Sequence, residues 1–570
     1  MYNIKKLAYE LEIDGAKINV ILDGCTVAGL DVRSAVHQTS DDLKTIRDEE
    51  PEIPALVSAE EVNGNMLFTW KNKSALWKEK TYTLECTPLR FIYKVSVKGQ
   101  GRVDGIEYFT GNCAAPGHGS DYEFQWGFNP CISWYNEEDY YFKASQKCYR
   151  WSVLMVPPMF CYAFRCEGLA RQLALGLAAE RGEHNFNSFT YNPVPQHNWG
   201  TTFFLSTDQD GHTVVGTNTV DGEWTAPHIV GYGADDEFDA MKKYTDYYFG
   251  SGIAKVKKAE LPPKFWHGPI ACGWIEQFAR YYDKNINPMD LACEEVYEDY
   301  LKRMHEAGLY PRCLIIDDKW QKNYAIDIAD PDKFPDLRAF VDRRHAEGIH
   351  TMLWFKIFDP DGLDCDEACV TTERSGKRID VSHPYFLKVL DDALYRIFSS
   401  DEGCYDCDGI KIDYAFQIPI GREMKTYSGK YGVELLYEFM EHIYTFAKKI
   451  KPHAIINCSP CHPYFAHICD HGRLHDYDGR NRFCGEDLEF RAKMYRIAMP
   501  GTLLDTDNAG FNTRRDTMRW MLKQPQTGIP DIYCVTPLPS FGFNKDDLAA
   551  LAQVWKEYTD RIDAMYGDKE

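Results

Sequence analysis

Four short apolar runs in this sequence close on carboxylates: PRCLIIDD on Asp317 and Asp318, DGIKIDY on Asp413, RLHDYD on Asp476 and Asp478, and GTLLDTD on Asp505 and Asp507. A single Asp after a strand is commonly the cap of the next helix. Asp413, followed by the apolar YAF, fits that role poorly. Lys411 lies two residues earlier and shares the Asp413 face at the period of a strand, so its ammonium can stabilise the charged carboxylate and hold a ligand hydroxyl. Trp274, Trp320, Trp354 and Tyr414 stand beside these acids. Carboxylates that accept hydroxyl hydrogen bonds, next to aromatic faces that stack on C–H surfaces, suit a sugar. Neither a P-loop nor a dinucleotide fingerprint occurs. Metal-ligand spacing is also missing: His471 and His475 are four apart, but the second falls in a strand-like run beside Arg473.

Acids from different strands meet only where strand ends converge. From about residue 259 the sequence alternates short apolar runs with helical patterns, and eight strands are expected: GPIACGWIE, PRCLIIDD, HTMLWFKI, DGIKIDY, AIINCS, RLHDYD, GTLLDTD and DIYCVTP. Val296, Tyr300, Met304 and Ala307 before Gly308 predict one helix; Leu436, Met440, Ile443, Ala447 and Ile450 before Pro452 predict another. Eight such units over about 300 residues predict a (β/α)8 TIM barrel at 259–570, with the functional groups at the strand C-termini. Residues 1–258 read instead as an antiparallel β-sandwich domain, from alternating runs such as KINVILDG, RFIYKVSVKG and HTVVGTNT between turn residues. Seven of the 13 Trp fall in that region, where core packing explains them better than sugar stacking.

Composition narrows the partners. The 570 residues carry 64 Lys+Arg against 86 Asp+Glu, a net charge of −22 that repels a nucleic-acid backbone. The N-terminus lacks the apolar core of a signal peptide and no apolar stretch is long enough to span a bilayer, so a cytoplasmic location with no membrane partner is expected. The 19 cysteines then read as reduced thiols. Two CxxC pairs, Cys404/Cys407 and Cys458/Cys461, are spaced like zinc ligands. However, Cys407 precedes the fourth expected strand and Cys458 ends the fifth, roughly 15 Å apart, too far for one metal.

Several of these runs resemble glycoside hydrolases of clan D. LIIDDKWQ resembles the LIIDDGWQ-type second strand of family 36, and DGIKIDYAF carries the Lys-x-Asp of the nucleophile strand in families 36 and 27. DKFPDLRAFVDRRHAEGIHTMLWF resembles the passage joining strands two and three in the same clan, and TLLDTDNAGF resembles the DIGGF-type segment of family 31. The resemblance implies a retaining α-glycosidase with Asp413 as nucleophile. In family 31 the acid/base lies about 29 positions before that last segment, which selects Asp478 (507 − 29), with Asp476 as the competing residue. It further implies that Asp317 and Asp318 bind sugar hydroxyls, that Trp320 and Trp354 form the pocket wall, and that Cys458 takes the place of a pocket Cys. Trp274, Lys356, Lys411 and Asp507 complete the implied substrate site. No cofactor or metal is called for, because both charges of the reaction fall on protein carboxylates.

The sequence departs from that pattern where Lys319 replaces the Gly of DDGW and Lys356 stands where family 36 usually carries Glu. With Arg480 and Arg482 after the expected acid/base, these cations either pair with pocket acids or lie in solvent, or they receive an anionic sugar. An α-galactoside is the expected substrate. The alternatives are an α-glucoside, α-N-acetylgalactosaminide or anionic sugar, transglycosylation instead of hydrolysis, and a catalytically silent carbohydrate-binding protein. A homo-oligomer is left open.

Overall fold

The computed structural model describes residues 1–111, 120–122, 126–128, 141–142, 149–152, 160–165, 168–195, 201–208, 219–258, 260–284, 286–474, 484–508 and 513–567. Its N-terminal region is built of antiparallel strands around one long strand, Phe91–Tyr108. Along its first half Phe91, Tyr93, Val95 and Val97 point into the core while the intervening residues are less buried, the alternation the sequence predicts. This strand pairs with Glu79–Cys86, Thr219–Thr225 and His228–Ala234 in its first half and with Ala35–Thr39 and Thr201–Asp208 in its second. A register shift between Val103 and Gly105 marks the bend.

Helix α1 (Glu237–Gly250), capped by Asp236, follows. The chain then forms seven parallel strands in sequence order: β1 (Ile270–Cys272), β2 (Cys313–Ile316), β3 (His350–Lys356), β4 (Gly409–Asp413), β5 (Ile455–Cys458), β6 (His471–Arg473) and β7 (Leu503–Asp505). The eighth expected run forms no strand. Ile529 makes a single parallel bridge to Asp505 and Asp531 another to Ile270, so the two edges are joined by isolated bridges. The expected helices are present as α3 (Glu294–Glu306), which buries Val296, Tyr300 and Met304, and α6 (Gly432–Ile450), which buries Leu436, Met440, Ile443 and Ala447. No α-helix follows β5, whose connection holds a 3-10 segment, Pro463–Ile468. Among the described residues no helix is long and apolar enough to cross a membrane.

The sixth strand differs most from expectation: it spans His471–Arg473, and Asp476 and Asp478 of the expected run lie outside the described residues. Within it Gly472 is a packing requirement: a Cβ there would stand 2.8 Å from the Tyr495 ring on helix α7 (Cys484–Ala498). Arg473, not an acid, closes β6.

The two regions are locked together at the start of α6. The Val433 and Glu434 amides donate to the carbonyls of Phe186 and His184 (3.1 and 2.9 Å), and the His184 amide donates to the Glu434 carboxylate at 2.9 Å. Gly432, at φ +57°, is required because a side chain would collide with the Phe186 carbonyl. Arg422, in the loop after β4, makes a bidentate pair with Asp104 on the long N-terminal strand at 2.7 and 3.0 Å.

Candidate active site

The parallel register brings Lys356 at the end of β3 beside Asp413 at the end of β4, and Arg473 beside Asp505 across β6 and β7. Asp413 is the most open carboxylate of the group, its side chain 14% exposed. Among the described residues, three donors reach it. The Trp354 indole N–H reaches Oδ2 at 3.1 Å, while the Arg473 guanidinium (3.1 Å) and the Tyr414 amide (2.8 Å) reach Oδ1. Arg473, 1% exposed, also bonds Asp507 at 3.2 Å and so ties the ends of β4 and β7 together.

Beneath Asp413 lies a buried layer. Lys411 donates to Asp317 at 2.7 Å and lies 3.4 Å from the Cys272 thiol, which itself donates to Asp317 at 3.1 Å. Burial alone would lower the Lys411 pKa, but Asp317 and Cys272 drive it well above the usual lysine range, so the ammonium stays charged. The Asp318 amide occupies the other Asp317 oxygen at 2.9 Å, so Asp317 positions its neighbours from below. Asp318 is pushed up to about 6 by burial and by the charges of Asp317 and Asp413, against the opposing Tyr324 hydroxyl and Lys356 ammonium. Asp505 is raised by burial and by Asp507, and Asp531 by burial and by both of these acids.

Several residues indicated by the sequence stand elsewhere. Trp320 is fully buried and donates its indole N–H to the Trp354 carbonyl at 2.8 Å, so it backs Trp354 and does not line a cavity. Trp354 is itself 1% exposed and offers Asp413 its N–H edge instead of a stacking face. Cys458 is buried with its thiol 2.7 Å from that of Cys469, pointing between β5 and β6. Trp274 opens helix α2 (Trp274–Lys284), half-buried against Phe278. Lys356 pairs with Asp359 at 2.8 Å and Lys319 with Asp361 at 3.2 Å. Asp476, Asp478, Arg480 and Arg482 lie outside the described residues.

Two features were not read from the sequence. Arg473 looked like part of an alternating strand, and only the register shows that it contacts Asp413. The backbone is also left-handed just beyond four strand ends, at Lys319 (φ +76°), Phe358 (+66°), Tyr414 (+64°) and Asp507 (+58°). Each costs of the order of 1 kcal/mol, and such strain collects where side chains must be aimed at a site.

No protein-family model and no curated protein sequence matches the chain. Solved structures do. A family 31 sulfoquinovosidase from E. rectale superposes with a TM-score of 0.60 at 11% identity, covering 96% of this chain and 82% of that one. A family 36 α-galactosidase from Geobacillus stearothermophilus, in complex with 1-deoxygalactonojirimycin, gives 0.54 at 10% identity over 99% and 86%. An α-galactosidase from Lactobacillus brevis gives 0.52 at 10% identity over 98% and 83%. This chain has the fold of family 31 and 36 glycosidases. At such identities the fold is what is shared.

Proposed function

We propose that the protein is a retaining α-glycoside hydrolase in which Asp413 attacks the anomeric carbon. The observation that carries this reading is the Asp413 constellation. A strand-end carboxylate, more open than its neighbours, is oriented by an indole N–H, a guanidinium and a backbone amide over a buried Lys–Asp pair. Such fixed donors hold a nucleophile in line without reorganisation during the reaction. The acid/base is assigned to Asp478, with Asp476 as the alternative. It protonates the leaving oxygen and then activates water, at the separation of about 5 to 5.5 Å between carboxyl groups that retention requires. The segment 529–531, bridging β7 and β1, completes the barrel in this reading, with the N-terminal domain ending near residue 258.

An α-galactoside is the first substrate to test, because the Lys-x-Asp run and the double Asp are closest to family 36. An α-glucoside or another α-glycoside comes second. Replacing Asp413 by Ala should remove turnover of aryl α-glycosides, and azide should restore it with formation of the β-glycosyl azide. Wild-type-like turnover by that variant would overturn the nucleophile assignment, whereas sugar binding with no turnover by the wild type would favour a purely carbohydrate-binding role. Asp478→Ala should spare substrates with activated leaving groups in the first step and slow the second. The same split in Asp476→Ala instead would move the acid/base to that residue.

A further inference from the structure

The loop after β2 builds an unusual charged wall beside Asp413. Tyr324 donates its hydroxyl to Asp318 at 2.9 Å, and two ammonium groups contact its ring, Lys319 at 3.8 Å and Lys356 at 4.1 Å from the ring centre. The Lys356 ammonium is also 4.7 Å from the centre of the Tyr414 ring, and both tyrosines meet Trp354 edge-on at 5.8 and 5.9 Å. Asp318, Tyr324, Lys356, Tyr414, Trp354 and Asp413 therefore form one contiguous cluster.

Each lysine is held by a carboxylate of the loop after β3, Asp359 for Lys356 and Asp361 for Lys319. Asp361 is itself anchored by the Asn323 side chain at 3.0 Å and the Tyr324 amide at 3.3 Å, so the ion pairs are built into the loop packing. Four carboxylates (Asp318, Asp359, Asp361, Asp413) face three cations (Lys319, Lys356 and Arg473, the last shared with Asp507). Among the described residues, an anionic substituent entering here meets a surplus of negative charge and no cation without its own carboxylate. A sugar hydroxyl instead finds the second oxygen of Asp318 as acceptor.

We propose that Tyr324, contacted by Lys319 and Lys356, is a positioning residue that fixes Asp318 for a sugar hydroxyl, and that Asp359 restricts the pocket to uncharged sugars by neutralising Lys356. This rests on the glycosidase reading. The ammonium contacts hold the ring by cation–π attraction, and the phenol then occupies one Asp318 oxygen, which leaves a single acceptor direction for substrate. The groups facing Asp318 are Tyr324, Asp317, Lys356 and Asp413. Removing the phenolic hydroxyl removes a donor that favours the ionised carboxylate, so Asp318 should take up its proton at higher pH.

The test uses the full chain and the aryl α-glycoside it cleaves fastest, compared with the corresponding α-uronide. The wild type should favour the neutral sugar at least 100-fold in kcat/KM, and Asp359→Asn should narrow that ratio at least tenfold by releasing the Lys356 charge. Tyr324→Phe should raise KM more than it lowers kcat and move the acidic limb of kcat/KM to higher pH. Preference for the uronide by the wild type, or an unaltered ratio in Asp359→Asn, overturns the charge argument. An unmoved acidic limb in Tyr324→Phe overturns the positioning role. If no aryl α-glycoside is cleaved, the glycosidase reading fails by itself. The Asp318 carboxyl can then be titrated by carbon-13 NMR, with Asp318→Asn as the reference for assignment, and an equal midpoint in wild type and Tyr324→Phe overturns the positioning role separately.

Discussion

The parallel sheet has two ends, and they treat carboxylates in opposite ways. At the N-terminal end Asp408, just before β4, accepts from His345 at 2.7 Å and the Thr351 amide at 2.9 Å, and pairs with Lys451 at 3.0 Å and His350 at 3.4 Å. Burial would raise its pKa, but the two histidines and the lysine hold it far below the usual carboxylate range. At the C-terminal end Asp317, Asp318, Asp413, Asp505, Asp507 and Asp531 share Lys411, Arg473 and the Lys356 already paired with Asp359, and Asp318, Asp505 and Asp531 are raised. One end uses its charge to stabilise the fold. The other keeps, among the described residues, an excess of buried, under-compensated acid that costs stability, an arrangement found at functional sites.

Exchanging the roles of two aspartates breaks this comparison most sharply. Asp413→Ala should cost at least about 10⁴-fold in kcat on an α-glycoside, with a melting temperature close to wild type. Asp408→Asn should do the reverse, lowering stability by about 2 to 4 kcal/mol in denaturant titrations while kcat per folded molecule holds. Arg473→Lys comes next. A lysine cannot span Asp413 and Asp507 together, and a loss of about 10²-fold in kcat/KM is expected from initial rates.

A smaller effect sharpens the cost of the acid excess. A carboxyl raised in the folded state stabilises the fold below its unfolded pKa, and that contribution is lost as pH rises through the folded value. For Asp318 the loss runs from about 4 to about 6. Asp318→Asn should therefore gain about 1 to 3 kcal/mol at pH 7.5 and nothing at pH 3.5 by thermal unfolding, at the expense of activity. The smallest effect belongs to the opposite end. His345 is raised chiefly by its hydrogen bond to Asp408, so its contribution is present in acid and fades as pH climbs above about 6.5. His345→Gln should flatten that slope by less than about 1 kcal/mol.

Strands β2, β3, β4, β5 and β7 were legible because each is a short apolar run with its polar punctuation at the C-terminal end, the pattern of a strand buried on both faces. The acids on β2, β4 and β7 could be picked out for the same reason. What escaped was long-range. Strand β6 sets Gly472 against the Tyr495 ring and ends on Arg473, a tertiary contact that the local pattern of RLHDYD does not carry. The burial of Trp320 behind Trp354 follows a left-handed Lys319 just before it, and the approach of Cys458 to Cys469 joins two separate segments; no local propensity announces either. Tyr324 lies in a loop, and its partners come from β2 and β3.

The contact between 184–186 and the start of α6 also bears on how the chain acquires its shape during synthesis. Residues 184–186 leave the ribosome some 250 positions before Glu434 does, and the docking carbonyls of His184 and Phe186 can be in place before the helix that needs them exists. When α6 emerges, its first turn meets acceptors for the Val433 and Glu434 amides, which a helix beginning elsewhere must leave to water or to a side-chain cap, and Tyr431 supplies none. The early-made β-rich region thus acts as a template that registers α6, and with it β4 and β5 on either side. The parallel-sheet region expressed without it would begin that helix against solvent, with the Gly432 turn stripped of the Phe186 carbonyl and the buried Glu434 carboxylate left with Tyr464 but without the His184 amide.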